Sequence, residues 1–298
     1  MRNRMSMGAL LFTALVGTLS TAVAGEGVIE INQALAMEGG VTSGDAPGFP
    51  VTVNEPGSYA LTGNLNVTAD VGAIEIRANR VSLDLRGFQV AGSGGGSDVD
   101  GIYVVLSEGG TITEVRNGSV TNFSGTLVSL GLSGRLLNLR LSVGGSGGGT
   151  GQDGQIIDNT VLAISSHGLA AARNTVFRGN VVRGIGNVGI RCTGSSASCV
   201  IEDNIVSGFQ TALLADSSII RNNRIRGSSY CIYGVFNLIV DNYLGGCTTG
   251  VRAATDSFLA SRAHNNFRGN VISADTAIDS DWPDFFLGPN RCRGTTCQ

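Results

Sequence analysis

Three carboxylates follow two glycine-rich segments and form a candidate site for metal chemistry. Asp98 and Asp100 come after the segment 91–97, and Asp153 ends a run that begins with the segment 144–151. Carboxylate and carbonyl oxygens are the ligands that Ca²⁺ prefers, and residues 148–153 match the start of a calcium-binding nonapeptide. True calcium rolls repeat that nonapeptide in tandem, so solvated loop tips are the favoured alternative to a calcium site.

Charged side chains also recur at the second position of a repeated hexad. Arg178, Glu202 and Arg221 fall on successive repeats, so the favoured interpretation is a cross-strand ion-pair ladder. The functional alternative is a substrate-binding face for uronate or sulfate groups, because guanidinium groups match such oxyanions in a bidentate way. This face would include Arg268. The whole column consists of Arg86, Arg116, Arg178, Glu202, Arg221 and Arg268.

The hexads that carry this column share one pattern. Positions one and six are apolar, position three is usually Asn, Asp or Gly, and position four is usually Asn or Gly. A spacing of about 20 residues is too short for a pair of helices, so each repeat predicts one coil of short strands. The hexads begin at Leu85, Val115, Leu136, Ile156, Phe177, Ile201, Ile220, Ile239 and Phe267.

Asparagine occupies the fourth hexad position in successive repeats. An amide side chain can both donate and accept, so stacked copies predict a hydrogen-bonded ladder inside the coils. We also expect these residues to supply a left-handed turn. The asparagines are Asn159, Asn180, Asn204, Asn223, Asn242 and Asn270.

A second apolar position follows most hexads, eleven to thirteen residues after the hexad begins, which predicts at least two stacked sheets around one core. The two glycine-rich segments then fall at the same phase two coils apart. We therefore expect them to border one groove.

With these repeats, the chain resembles the right-handed parallel β-helix superfamily of pectate lyases and related secreted bacterial proteins, over roughly residues 60–280. The resemblance implies an all-β solenoid. It says less about activity, because this fold carries lyases, hydrolases, epimerases and proteins without known chemistry.

The coils must be covered at both ends of such a solenoid. Residues 25–298 are predicted to form a single β-helix domain. Within it, 25–60 form an N-terminal cap, 61–280 form the coils, and 281–298 form a C-terminal cap and tail. A short N-terminal capping helix that ends at Gly39 is expected from apolar residues at helical spacing, namely Val28, Ile31 and Leu35.

Residues 1–24 have the pattern of a cleaved signal peptide. Arg2 and Arg4 precede the apolar stretch 7–19, and small residues at 22–24 fit a cleavage site. The remaining chain has 18 basic and 23 acidic residues and no later apolar span. We therefore expect a secreted or periplasmic monomer without a membrane span, and the acidic balance argues against nucleic acid as a partner.

Six cysteines in an exported chain favour disulfides over metal–thiolate chemistry. Proximity in the sequence suggests the pairs Cys192–Cys199, Cys231–Cys247 and Cys292–Cys297. Six cysteines allow 15 pairings, so proximity alone does not fix the connectivity.

Three functions remain open from the sequence. The first is a module that binds an extended, acidic polysaccharide, with catalysis unproven and calcium as the only cofactor considered. The second is a polysaccharide lyase or glycoside hydrolase that uses the groove beside the glycine-rich segments. The third is a rigid structural envelope protein without any ligand. For a lyase, candidate bases that replace the absent lysine are Arg221, Arg224, Tyr233, Tyr243 and His167.

Overall fold

The computed structural model describes residues 27–105, 112–194, 197–253, 265–279 and 285–293. The strands in these ranges all pair in parallel, each with the strand one coil further along the chain. Because three pairing series alternate along the chain, the coils build three parallel sheets around one interior. We name them sheet A, sheet B and sheet C in the order in which a coil passes through them.

Strands are numbered in chain order. Sheet A contains β1 (Val28–Ile31), β3 (Gly57–Leu61), β6 (Val81–Asp84), β11 (Gln155–Ile157), β14 (Val176–Arg178), β17 (Val200–Glu202), β20 (Ile219–Arg221), β23 (Leu238–Val240), β25 (Asn266–Arg268) and β27 (Phe285–Phe286). Sheet B contains β4 (Leu65–Asn66), β7 (Gln89–Ala91), β12 (Thr160–Ile164), β15 (Val181–Gly184), β18 (Ile205–Ser207), β21 (Arg224–Arg226) and β28 (Arg291–Arg293).

Sheet C contains β2 (Val51–Val53), β5 (Ile74–Ile76), β8 (Ile102–Val104), β13 (His167–Ala171), β16 (Val188–Cys192), β19 (Thr211–Ala215) and β22 (Tyr230–Tyr233). Four longer strands bend around the corners and contribute to more than one sheet. They are β9 (Thr113–Ser129), β10 (Arg135–Thr150), β24 (Tyr243–Arg252) and β26 (Val271–Asp279). This topology confirms the predicted all-β solenoid, a right-handed parallel β-helix.

The first hexad position lines the interior on sheet A. Phe177, Ile201 and Ile220 are fully buried and lie directly above one another in the register of β14, β17 and β20. They belong to one hydrophobic cluster that also includes the inward residues of sheets B and C. The apolar positions that repeat in the sequence are therefore the residues of the hydrophobic core.

The corner between sheets A and B explains hexad positions three and four. The third position takes positive φ, as at Asp158 (57°), Asp203 (58°) and Gly179 (66°), which is why it carries Asp, Asn or Gly. The fourth position forms the predicted ladder, for example where Asn204 Nδ2 donates to Asn223 Oδ1 at 3.0 Å. The left-handed turn thus belongs to the third position, not to the ladder asparagines as the sequence had suggested.

The N-terminal helix is shorter than its apolar spacing predicts. Val28 and Ile31 lie in strand β1, which pairs with β3, and helix α1 occupies only Gln33–Glu38. Asn32 is its N-cap and accepts a hydrogen bond from the Leu35 backbone N–H at 3.0 Å. In this segment, hydrogen bonding between β1 and β3 outweighs the helical spacing of the apolar residues. The parallel coils therefore begin before residue 61.

At the C-terminal end, the parallel strand pairing also extends further than expected. Strand β27 pairs with β25, and β28 pairs with β26, so coil strands extend into the range 281–298. Leu287, which falls in the predicted C-terminal cap, is 60% exposed. Trp282, which falls in the same predicted cap, lies outside the described residues.

Two predicted disulfides are confirmed, Cys192–Cys199 and Cys231–Cys247. The first closes the corner between sheets C and A, and the second links β22 to the bend within β24. Cys292 is also disulfide-bonded. Its predicted partner Cys297 lies outside the described residues.

Within the described residues, no helix is long and apolar enough to cross a membrane.

Candidate functional site

A depression of about 360 Å³ lies on the outer surface of sheet C. Its floor follows one outward-facing column, in which Gly149 pairs with Ser129 on one side and with Ala170 on the other. Arg191 and then Leu214 continue the same column. Because Gly149 and Ala170 have almost no side chain, the surface is hollow between Ser129 and Arg191.

The glycine-rich segment 144–151 builds this floor. A Cβ atom on Gly147 would lie 2.2 Å from the Gly168 carbonyl oxygen, and one on Gly148 would lie 2.6 Å from Leu136 Cδ2. The glycines are therefore required for close packing inside strand β10. The prediction of a loop here was wrong, although the segment does border a surface depression.

Arg191 supplies the positive charge at this site. Its side chain is half-buried, and its buried Nε finds no hydrogen-bond partner within the described part of the chain. A buried donor without a partner is costly, so a ligand or solvent oxygen would stabilise it. No acidic residue is found among the described residues that line the depression.

His167, on the neighbouring strand β13, lines the same depression as Arg191. Its Nδ1 is 2.8 Å from Ser166 Oγ. Burial, and then the positive charge of Arg191, lower the pKa of His167 below its usual value. The imidazole is therefore neutral at neutral pH and can accept a proton.

Hydroxyl groups complete the lining of the depression. They come from Thr126, Ser129, Ser146, Thr150 and Thr193. Each hydroxyl can donate and accept, whereas Arg191 only donates. The combination can bind a ligand that carries both hydroxyl groups and a negative charge.

The same column continues beyond Leu214 to Tyr233 and Arg252. Arg252 donates to the Tyr230 hydroxyl at 2.7 Å, and its Cζ lies 5.2 Å from the centroid of the Tyr230 ring. The rings of Tyr230 and Tyr233 meet edge to face at 5.8 Å. Sheet C thus presents an aromatic and cationic surface in line with the depression.

The predicted charged column lies on sheet A, where the structure shows the ion-pair ladder. Arg178 and Arg221 both contact Glu202, and Arg221 Nε donates to Glu202 Oε2 at 2.6 Å. Burial alone would raise the pKa of Glu202, but the hydrogen bonds and charges of the two arginines outweigh it and lower this pKa. Arg268 lies two coils from Arg221, with Val240 between them.

Arg86 does not belong to this column. The register pairs Asp84 with Arg116, and Arg86 lies in the corner with a φ of 49°. Two extra residues in that corner shift the first hexad, and the apolar pattern alone did not reveal them.

The three candidate calcium ligands do not come together. Asp98 and Asp100 precede β8 at the corner between sheets B and C, whereas Asp153 precedes β11 at the corner between sheets C and A. Asp100 accepts from the Thr126 backbone N–H at 2.6 Å, and Asp153 accepts from Asn174 Nδ2 at 3.0 Å. In the described ranges, no three His, Cys, Asp or Glu side chains are placed to hold a metal ion. The expected common phase was wrong because one segment is a loop and the other a strand.

Sequence reasoning missed Arg191 because its column has no repeated residue type. Only the register reveals it, since positions 149, 170, 191 and 214 are separated by 21 to 23 residues. Sequence reasoning also missed a second, shorter ladder at the corner before sheet A. There, Asn237 Oδ1 accepts from the Ser218 backbone N–H at 3.0 Å.

Comparisons with solved structures show the same class of fold. The Dettilon tailspike protein (gp208) superposes with a TM-score of 0.61 at 14% identity, over 76% of this chain and 54% of that chain. The A-module of the Azotobacter vinelandii mannuronan C-5 epimerase AlgE4 gives 0.55 at 11%, over 91% and 89%. The A-module of AlgE6 from the same organism gives 0.52 at 13%, over 81% of each chain. This chain therefore spans about half of the tailspike protein, and these likenesses define it as a right-handed parallel β-helix.

One family model also matches the chain. It is described as "Periplasmic copper-binding protein (NosD)" and matches residues 144–284, just under half of the sequence. No curated protein matches the chain. The disulfides are those of a secreted or periplasmic protein.

The described residues do not fit a copper centre. Copper is held by imidazole, thiolate and thioether ligands. After residue 24, the sequence contains only His167, His264 and Met37 as imidazole or thioether ligands. His264 lies outside the described residues, and the cysteines within them are disulfide-bonded. His167 on β13 therefore has no group of partner ligands around it in the described part of the chain.

Proposed function

We propose that this protein binds an extended acidic polysaccharide along sheet C. The observation that carries the proposal is the hydroxyl-lined depression at Arg191, which has no acidic residue among its described lining. Arg191 pairs with a sugar carboxylate, while Ser129, Ser146 and Thr150 contact sugar hydroxyls. A guanidinium binds a carboxylate in a bidentate way, which selects a uronate over a neutral sugar.

The length of the column supports an extended ligand. Six coil steps separate Ser129 from Arg252, which is about 29 Å at a strand spacing of roughly 4.8 Å. Tyr233 lies between Arg191 and Arg252 and offers an aromatic face to a sugar ring. The epimerases with this fold are named for mannuronan, so the fold is compatible with a polysaccharide ligand.

Isothermal titration calorimetry with oligomannuronate and oligogalacturonate tests this proposal. Arg191→Gln should weaken binding about tenfold, since a charge-assisted hydrogen bond is lost. Arg140→Gln is the matched control, because Arg140 is an exposed arginine on sheet B far from this column. Equal losses in both variants would show that binding reflects overall charge only.

A second variant tests the shape of the depression. Ala170→Leu should fill it and block binding, and Leu214 shows that the same column accepts leucine two coils further on. Neutral oligosaccharides should bind more weakly than uronates to the wild-type protein. Undiminished uronate binding by Ala170→Leu would exclude this depression as the site.

One observation favours catalysis at the same site as a second candidate function. His167 is neutral at neutral pH and lines the same depression as Arg191, so it can act as a proton acceptor for a lyase reaction. A hydrolase is less favoured, because the described lining contains no pair of carboxyl groups. Incubation with polyuronates, followed by ultraviolet absorbance of the unsaturated product, tests the lyase. Product from wild type but not from His167→Gln supports it, and no product from wild type rules against it.

A further inference from the structure

A second cationic depression lies on sheet B, on a different face from Arg191. It has a volume of about 430 Å³ and is lined by Arg183, Arg224 and Arg226, which we call the arginine cluster. The register places Arg183, Ser207 and Arg226 in one outward-facing column. Because Ser207 is small, it leaves a gap between the two arginines two coils apart.

Tyr243 holds two members of the arginine cluster side by side. The Cζ atoms of Arg224 and Arg226 lie 5.9 Å and 5.2 Å from the centroid of its ring. Such cation–π contacts orient the guanidinium groups without neutralising their charge. Both arginines therefore remain available to an anion.

Among the residues that the structure describes, the arginine cluster has no acidic partner, in contrast to Arg178 and Arg221 on sheet A. None of its three members forms a salt bridge to the described residues. All three side chains are exposed. The whole chain has a net negative charge, but this concave surface carries three positive charges. The charge of the arginine cluster is therefore local and not a property of the whole chain.

We propose that the arginine cluster binds the phosphate group of a phosphorylated sugar. A phosphate monoester carries close to two negative charges at neutral pH and three acceptor oxygens, which suits three guanidinium groups better than a carboxylate does. Ile205 lines the same depression and is 39% exposed, so it offers an apolar contact to the sugar ring. The volume is in the range of small-molecule sites.

Calorimetric titration of the mature protein with inorganic phosphate and with glucose 6-phosphate, at constant ionic strength, tests this site. Saturable binding of both is expected, and in Arg191→Gln, which lacks the proposed uronate site on sheet C, glucose 6-phosphate should bind more tightly than galacturonate. Arg183→Gln and Arg226→Gln should each weaken phosphate binding about tenfold. Arg226→Lys, which keeps the charge but loses the planar fork, should give an intermediate loss.

Two controls separate this site from general charge and from the site on sheet C. Arg140→Gln, on the same sheet but outside the depression, should leave phosphate binding unchanged, and so should Arg191→Gln. Absence of saturable binding, an equal loss in Arg140→Gln, or galacturonate binding to Arg191→Gln as tight as that of glucose 6-phosphate would each overturn the proposal. Sedimentation with phosphatidylcholine vesicles that contain phosphatidic acid, if abolished in Arg226→Gln, would assign the site to a lipid headgroup and overturn the sugar assignment.

Discussion

Sheet A and sheet C both carry arginines, but their polar groups differ in how completely they are paired. On sheet A, Glu202 is 3% exposed and accepts from Arg178 and Arg221 on the coils to either side. On sheet C, Arg191 has a buried Nε without a partner in the described residues, and the described lining of its depression contains hydroxyl groups and His167 but no acidic residue. A paired array stabilises the coils, whereas an unpaired one can exchange solvent for a ligand.

The difference shows that an arginine column alone does not identify a binding face. Coil stacking brings residues about 20 positions apart within contact, so any outward column can form ion pairs. The neighbours in register decide the outcome. Glu202 forms ion pairs with two arginines on sheet A, while Ala170 and Leu214 flank Arg191 on sheet C.

The largest effect is expected where pairing is most complete, in the asparagine ladder. Asn204 is 1% exposed, accepts from the Asn180 side chain, and donates to Asn223 Oδ1 and to the Phe177 carbonyl oxygen. Asn204→Ala leaves several buried groups without partners and should lower the free energy of unfolding by about 3 kcal/mol. Urea denaturation measures this change.

The exposed Asn187 provides the matched control for the ladder. Asn187→Ala should change stability by no more than about 0.5 kcal/mol. If Asn204→Ala were equally mild, the ladder would not be a stabilising array.

A smaller effect is expected at the ion pairs of sheet A. Glu202→Gln keeps the shape of the side chain but removes the charge between Arg178 and Arg221. Because both arginines are half exposed, water replaces part of the lost interaction, and the loss should be about 1–2 kcal/mol. Uronate binding should not change, since Glu202 is on another sheet. The exposed Glu38, as Glu38→Gln, is the control in the same denaturation assay.

The contribution of Glu202 should also depend on pH. Its pKa is lowered in the folded protein, so its stabilisation is present above the usual glutamate pKa of about 4.3 and is lost as the pH falls through the lowered value. The stability difference between wild type and Glu202→Gln should therefore shrink below about pH 4. Thermal unfolding at a series of pH values measures it, and a difference that grows with acidification would contradict the assigned ion pairs.

Much of the fold can be predicted from the sequence because each position of the repeated hexad has one structural role. The first hexad position is buried, as at Ile201, and the fourth forms the ladder, as at Asn204. The ends are harder to predict, since Val28 has both helical spacing and a strand partner in β3. Pairing between coils decided that case, and spacing along the chain cannot show it.

The candidate site was less predictable for a related reason. The ion pairs of Glu202 follow from their constant hexad position, but Arg191 lies on a column whose members share no residue type. The corners also differ in length, as the extra residues near Arg86 show, so the phase of a loop cannot be counted reliably from the hexads. Asp98 and Asp153 were assigned to one groove by such a count.

Replacing one arginine by glutamine on each sheet should give the smallest change in stability. It is also the most direct test of the difference between sheet A and sheet C. Unfolding free energies and uronate dissociation constants would be measured for Arg178→Gln and Arg191→Gln side by side. We predict that Arg178→Gln lowers stability by about 1 kcal/mol and leaves binding unchanged. Arg191→Gln should weaken binding about tenfold while stability stays within about 0.5 kcal/mol. Equal loss of binding in both variants, or a destabilised Arg191→Gln that binds normally, would contradict the distinction between a paired and an unpaired sheet.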